Sequence, residues 1–127
     1  MTATQSAISS DKRAALRRAF DAELDAASDA RDRDDIAAEW THLERAHILS
    51  QPMARPHLLT HQRMFGAAWR RRDGGEIVGQ LLRLLLAVPG TLSGRYPVGN
   101  TGGADVSAFK PMPIPDDLTA LLEEDPG

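Results

Sequence analysis

Residues 40–64 read WTHLERAHILSQPMARPHLLTHQRM and hold every histidine of the 127-residue chain: His42, His47, His57 and His61. The stretch decides the fold because two helical patterns meet inside it. Ile36, Trp40, Leu43 and His47 recur by four, three and four, the spacing of one face of an α-helix. Pro52 stops that helix after about Ser50, and Pro56 suits the first turn of the next, where no backbone N–H is needed. On this next helix His57, His61, Met64 and Ala68 form a second stripe. So short a connection makes the two helices antiparallel neighbours.

The chain on either side extends the pattern. Ser10 and Asp11 are candidate caps for a first helix carrying Leu16, Phe20, Leu24 and Ala27 at helical spacing. The run DARDRDD breaks it, and Asp34 or Asp35 caps the second helix from about Ile36. The third helix stops at Asp73-Gly74-Gly75. A fourth, from about Glu76 to Val88, is apolar on nearly every side and closes at Pro89-Gly90. Such a helix needs cover on more than one face, from the remaining chain or a second subunit. Residues 1–9 are expected to be disordered. Residues 94–115 form an irregular Gly/Pro-rich tail, in which KPMPIP favours an extended segment with Phe109, Met112 and Ile114 as anchors. Asp116 begins a last short helix through Leu122. The expectation is an all-α, antiparallel bundle of about four helices with a long irregular C-terminal tail, in a single domain spanning 1–127.

Composition narrows the function. A net charge of −3 argues against a nucleic-acid binder, and Arg70-Arg71-Arg72 reads as a solvated helix end. The absence of cysteine excludes disulfides, thiolate metal sites and cysteine nucleophiles. No secretory h-region is visible at the N-terminus, and LLRLLLAV (81–88) is too short to span a bilayer, so the expected location is cytoplasmic, without membrane contact. The arginine-rich, lysine-poor balance suggests a GC-rich bacterial genome.

Glu44 stands three residues before His47, beside the apolar stripe of the second helix. At about 1.5 Å of rise per residue, His47 and His57 lie within a turn of the connection, with Glu44 and His61 about one turn deeper. Two facing polar layers result, and Glu44, His47, His57 and His61 are the expected ligands of a transition-metal ion, zinc or iron foremost. Arg45 and Gln51 are the expected supports of those ligands. His42 lies off the stripe. The competing reading is structural: an ion pair between Glu44 and His47, and histidines bonded to backbone carbonyls. HLLTH (57–61) has the histidine spacing of a zinc-protease helix but Leu58 where the glutamate base belongs. Glu44-Arg45-Ala46-His47 matches the Glu-x-x-His element of di-iron bundles, yet the chain holds no second copy. Glu23 sits on the apolar face of the first helix, nearer the level of Trp40 than of Glu44. In GRYPVGNTGG (94–103), Arg95 and Asn100 are candidate anion or substrate contacts, although the Lys-Ser/Thr of a phosphate loop is missing.

The stretch from Trp40 to Gln51, with His57, His61 and then GNTGGADVSAFKPMPIP, resembles a family of short bacterial proteins catalogued as a domain of unknown function. The resemblance spans about residues 35–118, and Glu44, Arg45, His47, Gln51, His57 and His61 fall on its recurrent positions. It implies no activity and inclines the reading toward metal. Three functions are therefore expected in order: a metal-binding protein in metal handling or sensing, a metal-dependent enzyme (hydrolase or oxidoreductase, with a dinuclear site across a dimer as one form), and a metal-free helical interaction module. A homodimer is the expected assembly.

Overall fold

A computed structural model describes residues 3–4, 9–92, 95–96 and 112–122. It contains five helices: α1 (Ser10–Asp32), α2 (Ile36–Ser50), α3 (Ala54–Arg70), α4 (Gly74–Leu92) and α5 (Asp116–Leu122). The fold is all-α, as the periodicity predicts. α1 packs on α2, α2 on α3 and α3 on α4, each joined to the next by a short turn, and α5 returns to α1 and α2. Within the first nine residues, Ala3–Thr4 (β1) pairs antiparallel with Arg95–Tyr96 (β2). Of the expected tail, Met112–Pro115 is non-helical and Ile114 packs against the core. Phe109 and Asn100 lie outside the described residues. Among the described residues no helix is long and apolar enough to cross a membrane.

Two of the three short connections between α1 and α4 share one device. At the end of α1, Asp34 takes a left-handed conformation (φ 55°), and its N–H and that of Asp35 donate to the carbonyls of Arg31 and Ala30. At the end of α3, Arg72 (φ 57°) and Asp73 donate likewise to Trp69 and Ala68. This pair of hydrogen bonds to the last turn is the Schellman closure. In each case the next residue is an aspartate that caps the following helix: Asp35 Oδ1 accepts from Ala38 N at 3.1 Å, and Asp73 Oδ1 from Glu76 N at 3.0 Å. α4 therefore starts at Gly74, and it continues to Leu92 with Pro89 and Gly90 inside it rather than at its end. At α1 the cap is Ser9, one residue before those expected, because its hydroxyl reaches the Lys12 N–H.

The core joins Leu16, Phe20, Leu24 and Ala27 of α1 to Leu43, Ala46 and Leu49 of α2, Met64 and Ala67 of α3, and Leu118 of α5. α4 is turned in an unexpected way. Of its described residues, Glu76, Gln80 and Arg83 are buried, while Val78, Leu81 and Leu82 are exposed. Its sparse polar residues fall at spacings of four and three, so they share one face, and that face is directed inward. At the far end of the α2–α3 hairpin, Arg70 donates from Nη1 and Nη2 to the two oxygens of buried Glu39 at 2.9 and 2.7 Å. The paired guanidinium offsets the desolvation of that carboxylate.

Arg72→Gly is expected to raise stability, because a side chain in the left-handed region costs about 1 kcal/mol. Asp73→Ala is expected to lower it by about 1 kcal/mol through loss of the cap. Urea denaturation of the two variants beside the parent protein checks both signs.

Candidate metal centre

α2 contributes His47 from its last turn, and α3 contributes His57 from its first turn and His61 one turn on. The tight connection at Gln51–Met53 lays these turns against each other. Met53 N donates to Ser50 O, and His57 N donates to Met53 O. All three imidazoles are buried. Their Nε2 atoms form a nearly equilateral triangle: 3.1 Å from His47 to His57, 3.1 Å from His47 to His61 and 3.2 Å from His57 to His61. The His47 ring stands at 71° to His57 and 72° to His61, a propeller that aims one nitrogen of each ring at a common point.

Such a triangle fits an ion. A point about 1 Å above the plane of the three nitrogens lies about 2.1 Å from each, the usual length of a zinc–imidazole bond. These three residues are the one such group of histidines and carboxylates among the described residues, and they could hold a metal ion. A neutral imidazole donor set suits zinc, iron(II), copper or nickel.

Burial controls the charge of the cluster. It pushes His57 down to about 3, helped by the neighbouring His61. It pushes His61 down to about 4, opposed by the bond to Gln80 and assisted by the positive charge of Arg83. Both rings are therefore neutral at physiological pH, the state a metal requires of its ligands. Their lowered values also depart from the ordinary histidine range near 6.5.

The structure brings together three of the four residues expected as ligands. Glu44 is half-buried and does not belong to the cluster. His47 alone meets both histidines of α3, so one imidazole of α2 fills the space where two matched layers were expected. Arg45 is engaged elsewhere. Its Nε donates to Glu23 Oε1 at 2.8 Å, and its Nη groups reach Asp117 of α5. Gln51 is buried in the α2–α3 connection. His42 also pairs with Glu23, Nδ1 to Oε2 at 2.7 Å, which places both residues in a separate network joining α1, α2 and α5. The backbone of Arg95 lies in β2. What the sequence reading missed is α4: Gln80 Oε1 lies 2.7 Å from His61 Nδ1, and Gln80 Nε2 donates to Glu76 Oε1 at 2.7 Å. The signal was present as three polar residues, Glu76, Gln80 and Arg83, on one face of an otherwise apolar helix.

The chain belongs to the family described as Protein of unknown function (DUF3703), which matches residues 14–122 and so spans all three histidines and α4. No curated protein and no solved structure matches it.

Acid should destabilise the metal-free protein. In the unfolded chain His57 and His61 take up protons near pH 6.5, whereas in the folded chain they stay neutral down to about 3 and about 4. The unfolded chain binds more protons between these limits, so stability is whole above pH 6.5 and is lost as the pH falls. Two such groups predict a loss of about 2–3 kcal/mol between pH 7.5 and pH 5.5. Chemical denaturation of chelator-treated protein at the two values measures it.

Proposed function

We propose that this protein binds a transition-metal ion, zinc or iron foremost, through His47, His57 and His61, and serves in handling or sensing that ion. The observation that carries the reading is the triangle of Nε2 atoms with sides of 3.1–3.2 Å. Three imidazoles have no strong reason to converge on one point without a cation there. Each nitrogen offers either a lone pair or one N–H, and three members cannot all be matched head to head. A cation accepts all three lone pairs at once. The structural alternative, in which each ring bonds a backbone carbonyl, accounts for burial but not for this convergence.

Three protein ligands also support a second reading, a metal-dependent enzyme. Structural zinc sites are usually closed by four protein ligands, whereas catalytic sites keep a position for water or substrate. The two readings differ in ligand exchange. A visible spectrum of the cobalt(II)-loaded protein that changes on adding azide favours the open, enzymatic site. A spectrum that azide leaves unaltered favours storage or sensing.

Protein purified without an affinity tag is expected to carry or take up about one equivalent of metal per chain, with folding coupled to binding. His57→Ala and His61→Ala should each abolish tight binding in calorimetric titration. His42→Ala should leave affinity nearly unchanged, because His42 pairs with Glu23 outside the cluster. Absence of uptake of every first-row metal, or equal affinity in the His61 variant, overturns the reading.

A further inference from the structure

The polar face of α4 does more than fill space beside His61. Gln80 is wholly buried, and Glu76 is buried in the first turn of the same helix, where the Asp73 cap fixes its backbone. A carboxylate oxygen only accepts hydrogen bonds, so the Gln80 amide must turn its NH2 toward Glu76. Its carbonyl oxygen then faces His61 Nδ1 at 2.7 Å. That oxygen also only accepts, so the proton between them belongs to His61 Nδ1. A neutral imidazole has a single N–H. His61 Nε2, which faces the Nε2 atoms of His47 and His57, is left with a bare lone pair.

We propose that Glu76 and Gln80 are positioning residues that lock His61 in the Nδ1–H tautomer and so present its Nε2 lone pair to the ion. This rests on the reading of the three histidines as a metal site. Polarity passes in one direction: the carboxylate orients the amide, the amide orients the imidazole, and the imidazole is aimed before any ion arrives. Preorganisation of this kind removes a tautomer shift from the binding step and raises the basicity of the ligand. Glu76 acts two residues removed from the ion, at the start of a helix that supplies no histidine of its own.

Glu76→Gln breaks the direction of the relay. A glutamine at 76 can donate as well as accept, so the Gln80 amide is free to flip and offer its NH2 to Nδ1. His61 would then carry its proton on Nε2, inside the cluster, where it obstructs the ion. The expected loss of zinc affinity is about 10–100-fold, the usual effect of removing a group that orients a ligand. The exchanged pair Glu76→Gln with Gln80→Glu keeps composition and charge and restores the direction, because a carboxylate at 80 accepts from both neighbours. It should recover most of the affinity, which a merely space-filling role would not predict.

The tautomer is read separately from metal, by nitrogen chemical shifts of the His61 ring in zinc-free protein. The expected result is a protonated Nδ1 in the wild type, a mixture in Glu76→Gln, and protonated Nδ1 again in the exchanged pair. A protonated Nε2 in the wild type overturns the inference and suffices if a variant fails to fold. An Nδ1–H tautomer in protein that takes up no first-row metal upholds the relay and overturns the metal reading instead.

Discussion

Three imidazoles must be enclosed in a helical core of ordinary apolar residues, and much of the architecture follows from meeting that demand. Burying a polar group costs on the order of several kcal/mol unless it is hydrogen-bonded, and here three buried imidazoles sit side by side. The arrangement sets each ring facing the other two at 3.1–3.2 Å, a triangle that hydrogen bonds among the three nitrogens cannot fully match. It requires α2 and α3 to be held in one axial register, since a slip of one residue would move His47 by about 1.5 Å relative to its partners. The compact turn at Gln51–Met53 sets that register from the near end.

The far end of the hairpin is secured by different chemistry. Glu39 and Arg70 join the first turn of α2 to the last turn of α3 with two parallel hydrogen bonds. Between this clamp and the histidines lie two turns of α2, about 12 Å of helix, filled by the apolar core. A third polar group, Glu23 with His42, Arg45 and Asp117, ties α5 to α1 and α2 on another face. Asp117 and then Glu23 raise the basicity of Arg45 through the bonds they accept, and Arg45 in turn holds Asp117 below the usual carboxylate range. These two networks have an ordinary structural account: each carboxylate meets a cation, and each cation meets its carboxylate. The histidine cluster differs, since three like donors meet one another.

α4 shows how a helix can be assigned correctly and oriented wrongly. Its hydrophobic residues suggest burial all round, and the natural expectation is that any buried face is an apolar one. The described residues show the reverse, with Glu76, Gln80 and Arg83 inside and Val78, Leu81 and Leu82 outside. The polar face finds its partner in His61, whose Nδ1 would otherwise require another acceptor. The gain of a matched buried hydrogen bond competes directly with the gain of burying a leucine, and here the match prevails.

Helix existence was legible from the residues. Leu16, Phe20, Leu24 and Ala27, and then Leu43, Met64 and Ala68, recur at the helical period, and the period is a property of one local segment. The bounds of α2 and its aspartate cap followed from Asp35 and Pro52 for the same reason. The convergence of His47, His57 and His61 was also legible, because a three-residue connection leaves two antiparallel helices little freedom in register. The exclusion of Glu44 from the cluster, the diversion of Arg45 to Asp117 and the relay from α4 were not. These depend on how far each helix is rotated about its axis and on which neighbour reaches an imidazole first. Rotation is decided by the summed packing of all the helices, which no single segment of sequence contains.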